Sequence, residues 1–205
     1  MAHSVRSSPS VSIPSSPRVL STDSDAELID ASMGGNDYAF RLLVERFMDE
    51  VSRTVIGMLG PVSEVDDVVQ EVFIKLHRSL PSFRGDATLK TFIVRMAINK
   101  SLDALRKRKR AAWLKPWTEV GEYDHQTTDG TDTEITSRER RTELRRAINK
   151  LPENQRAVIV LRLIEDISTE ETSRILDVPY GTVLSRLKRG LDRLRSELGD
   201  SVLTD

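Results

Sequence analysis

Apolar residues recur at three- and four-residue steps from Asp25 onward, and the pattern predicts helices throughout. Leu28, Ile29 and Met33 mark a short helix ended by Gly34-Gly35. Asn36 is placed to cap a longer one, in which Phe40, Leu43, Val44, Phe47, Val51, Val55 and Leu59 hold a stripe until Gly60-Pro61 stops it. Ser63, with Asp66 three residues on, begins a third whose apolar side is Val65, Val68, Val69, Val72, Phe73 and Leu76, closed by Pro81. Thr88 can cap a fourth through Leu89, Phe92, Ile93, Met96, Ala97, Leu102 and Leu105, and a basic run strips that face away near Arg108. Strand alternation, hairpin signals and internal repeats are missing from the pattern.

Two stretches lack periodicity. Residues 1–24 carry repeated Ser-Pro pairs and read as a disordered tail. Residues 111–137 hold Pro116, Gly121, Gly130 and many Thr and Asp, the composition of a flexible linker, here with Trp113 and Trp117 on it. The helical pattern resumes near Arg138 with Leu144, Ala147, Ile148 and Leu151, then restarts after Pro152 with Val158, Ile159, Leu161 and Leu163. The expected fold is therefore all-α: a four-helix domain over 25–110 and a second small helical domain over 138–200, separate and joined by the linker.

The second domain ends in the most informative segment, Ile167 to Arg189. Ser168 can cap a helix with Glu171 reaching back, Ile175 and Leu176 give it an apolar side, and Asp177-Val178 make a break. Pro179 suits the first turn of a new helix, where Val183, Leu184, Leu187, Leu191 and Leu194 form a seam. Outside that seam lie Tyr180, Thr182, Ser185, Arg186, Lys188 and Arg189. Short polar side chains near a helix N-terminus, with Arg and Lys beside them, are what a helix-turn-helix needs to reach base edges and phosphates in a major groove.

Charge sharpens this reading. Lys and Arg number 31 against 32 Asp and Glu, a net charge of −1, but the charges are segregated. Lys100 to Lys115 contains Asp103 as its only acid, and Arg186 to Arg195 is a second basic cluster, whereas Glu64 to Glu71 and Glu119 to Glu134 are acidic. The alternation suits one molecule that meets a polyanion and a basic protein surface. On the third helix, Asp66, Asp67, Gln70, Glu71 and Ile74 lie opposite or beside the apolar stripe, a candidate docking face.

The run Asp67 to Phe73, then Phe83-Arg-Gly-Asp86, Thr91 to Asn99 and Leu102 to Arg106 closely resembles the promoter-melting domain of bacterial sigma factors. Leu151-Pro-Glu-Asn-Gln-Arg-Ala-Val158 and Gly181 to Arg189 resemble the sigma domain that reads the upstream promoter element. With no domain between the two, the chain resembles the extracytoplasmic-function (ECF) group of the sigma-70 family. The resemblance implies a specificity subunit of RNA polymerase that selects promoters and assists their melting, with core polymerase and promoter DNA as partners and an anti-sigma protein as a further one. It implies that Asp67, Gln70, Glu71 and Phe73 dock on the clamp helices of the largest polymerase subunit. Phe83, Arg84, Lys90, Arg95, Asn99, Arg106 and Lys107 would hold the opened minus-ten strand, and Tyr180, Thr182, Ser185, Arg186, Lys188 and Arg189 would read the minus-thirty-five duplex. Two positions depart from many relatives: Phe92 stands where tryptophan is common, and Thr172-Ser173 where Ile-Ala is common.

Other classes fare worse. His3, His77 and His125 are scattered, cysteine is absent, and neither metal-ligand spacing nor a phosphate-cradling glycine loop occurs, so no catalytic residue, metal or cofactor is expected. No apolar run approaches the roughly 20 residues that cross a bilayer, which predicts a cytoplasmic protein without membrane insertion. A helix-turn-helix regulator acting without polymerase is the nearest rival, and it leaves the first domain unexplained.

Overall fold

A computed structural model of the protein describes residues 24–114 and 132–199, with side chains over 24–113 and 140–199. The expected tail, apart from Ser24, and the middle of the expected linker with Trp117 lie outside the described residues. Helices α1 (Asp25–Met33), α2 (Asp37–Leu59), α3 (Glu64–Ser79) and α4 (Leu89–Leu114) make the first domain. Helices α5 (Asp132–Lys150), α6 (Glu153–Ile159), α7 (Thr169–Leu176) and α8 (Tyr180–Leu198) make the second.

Local chemistry sets most boundaries of the first domain. Ser24 accepts from the Glu27 amide and Glu27 closes back on Ser24, a complete capping box in front of α1. Asn36 accepts from the amides of Tyr38 and Ala39, and Gly60, at φ +78°, ends α2. Ser63 makes no side-chain cap bond; the acids Glu64, Asp66 and Asp67 complement the α3 N-terminus instead. Thr88 does cap α4, accepting from the Thr91 amide at 3.1 Å. The basic run continues α4 past Arg108 rather than ending it, since Lys, Arg and Ala are strong helix formers and Arg108 Nε pairs with Glu64 at 2.6 Å. The stripes read from the sequence then meet in one core: Leu43, Val51, Val55, Val72, Leu76, Ile93 and Ala97 are all fully buried.

In the second domain α6 runs on from Val160 to Ile164 as a π turn, with Glu165 N–H donating to the Val160 carbonyl at 3.0 Å. The helix-turn-helix forms as expected: Ser168 caps α7, and Asp177 takes a left-handed turn at φ +52°. The α8 seam differs from the expected one. Val183, Leu187, Gly190, Leu194 and Leu198 face the core, whereas Leu184 and Leu191 are exposed. The reason is Gly190, where a Cβ would lie 3.0 Å from Ile159; the close approach of α6 there decides which side of α8 turns inward. Ser173 donates forward to the Val178 carbonyl at 2.6 Å, not back along its own helix, and so ties α7 to the turn. Thr172 is fully buried.

The two domains, expected as separate modules, are packed together. Met58, Val94 and Ile98 of the first form one apolar cluster with Ala157, Val160, Leu161, Ile167 and Ile175 of the second. A Cβ on Gly57 would sit 2.9 Å from Val160, so a glycine that costs about 1 kcal/mol in a helix interior marks where the second domain approaches α2. Arg156, buried, donates to the Met58 carbonyl at 2.5 Å, to the Leu151 carbonyl at 3.0 Å and to the Asn149 carbonyl. At the edges, the Thr91 hydroxyl donates to Glu171 at 3.2 Å and Lys109 pairs with Glu153 at 2.9 Å. Glu171 therefore spends its carboxylate across the seam rather than on the capping box expected for α7.

Glu165 is buried in the same seam, with Arg53 Nε at 3.9 Å; the Thr54 hydroxyl donates to the Glu50 carbonyl at 2.8 Å. Burial pushes its carboxyl above the ordinary value of 4.5, against the opposite pull of Thr54, Arg53 and Lys90, while Glu50 adds to the rise. A carboxyl raised in the folded state favours folding most below its ordinary value, and that contribution is lost as pH rises through the raised one. Glu165→Gln is therefore expected to stabilise the chain increasingly as pH climbs from about 4 to neutrality. Thermal midpoints of the two proteins should converge at low pH, and a gap independent of pH contradicts the account.

Candidate nucleic-acid interface

Arg95, Asn99 and Arg106 stand at i, i+4 and i+11 on α4, so one exposed helix side carries all three. At the start of that side the rings of Phe83 and Phe92 meet with centroids 5.0 Å apart, both half-buried and anchored in the first core. Arg84 is exposed in the loop beside Gly85, whose φ of +74° needs a glycine. Lys107 is exposed on the flank, and Arg106 is held by Asp103 at 2.9 Å. Lys90 is the outlier. At about 100° per residue it lies roughly 140–180° round from the other three. It is half-buried and turned toward the second domain, where its charge acts on Glu165. The structure thus gathers Phe83, Arg84, Arg95, Asn99, Arg106 and Lys107 and leaves Lys90 outside the group.

On α3, Asp67, Gln70 and Glu71 are exposed at i, i+3 and i+4, and Glu71 pairs with Lys100 at 2.6 Å. Phe73 does not join them. Only 6% of it is exposed, because it continues the core stripe of Val69, Val72 and Leu76. The apolar member of the acidic face is Ile74, 45% exposed and seven residues from Asp67. Helical spacing carried that signal: position 74 follows Gln70 by four, whereas 73 follows Val69 by four.

On α8, Thr182, Ser185, Arg186 and Arg189 stand at i, i+3, i+4 and i+7 and form one continuous strip. Arg193, at i+11 and exposed, extends it by a turn; it belongs to the same basic cluster and was passed over in the sequence. Ser185 Oγ donates to the Thr182 carbonyl at 3.0 Å, and Arg189 folds back on Ser185 through two bonds of 3.1 Å. Tyr180, 54% exposed at the helix start, and Lys188, on the flank, lie off the strip. Pro179 supplies no side-chain cap; its carbonyl accepts from the Thr182 amide at 2.8 Å and the Val183 amide at 3.2 Å, and the partial positive charge at the α8 N-terminus favours an anion there.

The two domains thus carry an acidic face on α3, a basic helix side with an aromatic pair on α4, and a polar and basic strip on the second helix of a helix-turn-helix. Among the described residues no group of three or more His, Cys, Asp or Glu could hold a metal ion. The chain matches the family profile described as Sigma-70 region 2 over residues 43–111 and that described as Sigma-70, region 4 over residues 141–194. It is 34% identical to the ECF RNA polymerase sigma factor SigW of Bacillus subtilis (strain 168), over 81% of this chain and 92% of that protein. It is equally 34% identical to the ECF RNA polymerase sigma-E factor of Escherichia coli (strain K12), over 85% of this chain and 94% of the other. The solved structure of CnrH in complex with the cytosolic domain of CnrY superposes with a TM-score of 0.61 at 28% identity, covering 85% of this chain and 96% of that one. The chain belongs to the ECF group of sigma-70 RNA polymerase sigma factors: it directs core polymerase to promoters and assists their opening, and it has no catalytic site of its own.

The two neighbours on α3 should behave differently when truncated. Phe73→Ala is expected to lower stability by about 3–5 kcal/mol, as loss of a buried aromatic does. Ile74→Ala should stay within about 0.5 kcal/mol of the parent. Urea unfolding of the full chain decides it, and equal losses at both positions contradict the assignment of inward and outward faces.

Proposed function

We propose that Asp67, Gln70, Glu71 and Ile74 form the surface that docks on the clamp helices of the largest polymerase subunit, acids against basic side chains with Ile74 as the apolar contact. The α4 side with Arg95, Asn99, Arg106 and Lys107, together with Arg84 and the Phe83 and Phe92 rings, holds the non-template strand of the minus-ten element once it opens. Unstacking costs about a few kcal/mol per extruded base and one stacking contact returns roughly 1–3 kcal/mol, so several such contacts trap an open strand without fuel. Thr182, Ser185, Arg186, Arg189 and Arg193 face the major groove of the minus-thirty-five element, with Tyr180 and Lys188 positioning on phosphates. The observation that carries this reading is segregation: the acids of α3, the cations of α4 and the polar and basic strip of α8 each lie along one side of a single helix, exposed or half-buried and away from the core stripe.

A protein inhibitor of this chain belongs to the same proposal. A solved structure of the sigma factor RpoE from Bartonella quintana, in complex with the anti-sigma factor NepR, shares this fold with a TM-score of 0.65 at 22% identity. The acidic α3 face and the exposed Leu184 and Leu191 on α8 suit an inhibitor that competes with polymerase. The work is done where polymerase is, in the cytoplasm; no helix among the described residues is long and apolar enough to cross a membrane.

Run-off transcription with core polymerase and a genomic library tests the whole. Starts should appear only when this chain is added, and a chain that shifts promoter DNA equally well without core would instead be a free-standing regulator. In the same assay Arg186→Ala should cost about 1–3 kcal/mol and relax preference at one upstream position, as loss of a bidentate base contact does. Lys188→Ala should weaken all promoters alike and reduce the salt dependence. An unchanged start profile for Arg186→Ala removes that residue from base reading.

A further inference from the structure

We infer that Lys100 is a further cation for the opened minus-ten strand, held in reserve by Glu71 and released when polymerase takes that carboxylate. The inference deepens the docking and strand-holding faces proposed above and rests on them, since it makes one ion pair the link between the two.

Lys100 Nζ donates to Glu71 Oε2 at 2.6 Å, a charge-assisted hydrogen bond across the contact between α3 and α4. Glu71 shares the acidic side of α3 with Asp67 and Gln70, and its side chain is 58% exposed, so a basic partner reaches the same carboxylate from solvent. Lys75 stands at i+4 from Glu71, the spacing that favours a pair within one helix, yet the bond runs to a residue 29 positions away. Other cations of α4 are tied elsewhere. Arg106 pairs with Asp103 on its own helix, Arg108 with the half-buried Glu64 at the start of α3, and Lys109 with Glu153 of the second domain. Among the described residues, Glu71 to Lys100 is the ion pair that joins the proposed docking face to a cation of α4.

The position of Lys100 suits the second role. It follows Asn99 directly and stands at i−7 from Lys107, so it flanks the strand-holding side along the edge that faces α3. Its stem is flexible and its ammonium is a point charge without a fixed direction, which fits a phosphate better than a base edge. While Glu71 holds it, that charge is neutralised and adds little to the attraction for a polyanion. A basic side chain arriving at Glu71 from polymerase repels Lys100 and competes for the same oxygens, and the released ammonium neutralises a phosphate of the open strand. An exposed pair is weak, so the exchange is easily made and its effect is a few-fold change rather than a large one. Linkage makes it reciprocal: the factor by which docking strengthens strand binding is the factor by which a bound strand strengthens docking.

Full-length Glu71→Gln, Lys100→Met and the double variant test this. When the labelled chain is titrated with core polymerase and no DNA, Lys100→Met should tighten binding about threefold, because Glu71 no longer gives up a partner, and the gain should vanish in the Glu71→Gln background. When the free chain is titrated into a dye-labelled oligothymidylate of about 12 nucleotides, Glu71→Gln should tighten binding about threefold and steepen its dependence on salt. Adding Lys100→Met should erase both effects. A Lys100→Met chain that binds core no better than the parent, or a Glu71→Gln gain on the oligonucleotide that survives in the double variant, overturns the exchange. Weaker core binding by Glu71→Gln with no gain in Lys100→Met leaves the docking face standing and strikes the exchange alone. If Glu71→Gln binds core as the parent does, Glu71 is not a docking residue, and the exchange falls with that part of the proposed function.

Discussion

The guanidinium of Arg156 sits where the two domains meet and bonds to both. It is buried, and desolvation holds its pKa below the usual arginine range, yet its donors reach the carbonyls of Asn149 and Leu151 in its own domain and of Met58 in the other. Each carbonyl lies near a helix end, where the helix offers no partner, and an unserved buried acceptor costs about 1–3 kcal/mol. One planar, permanently charged side chain with several fixed donors serves all three, which lysine could not do. Around it, Gly57 and Gly60 admit the second domain to within contact of α2, and the apolar cluster of Met58, Val94, Ile98, Val160 and Leu161 closes.

The faces proposed for function are the sides of helices that this packing leaves alone. The α3 acids, the α4 cations and the α8 strip each lie opposite a buried stripe, so the packing that builds the core also aims the polar residues outward. Such faces need no cavity and no perturbed titration. On the proposed reading their chemistry is electrostatic and directional, charge for phosphate or partner and short polar groups for base edges. Glu165, whose carboxyl burial pushes above its ordinary value, lies in the seam between the domains and not on any of these three faces.

Helix existence, most caps and the identity of both domains were legible in the sequence because they depend on neighbours within four residues. Asn36, Thr88 and Ser168 cap where their positions said they would, and the stripe on α3 became the core of the first domain. Adjacent apolar pairs were harder. Phe73 and Ile74, or Val183 and Leu184, differ by a single residue, about 100° of rotation, and either could serve a core until the partner helix is known. Gly190 settled the second case by admitting Ile159, a fact that periodicity cannot contain. Arg193 differs from these cases, since it follows Arg189 by four residues and helical spacing alone carries that signal.

The sequence by itself determined that the chain is helical, that it carries two modules of the sigma-70 family, and where along it the acidic and basic residues cluster. Those features follow from local spacing, charge runs and motifs, all written in one dimension. Only the tertiary structure decided that the modules share a seam, that Lys90 and Glu171 turn toward it, and that Glu165 is buried within it. Contacts such as Arg156 to Met58 join residues 98 positions apart, and no local pattern can encode which two surfaces will find each other complementary.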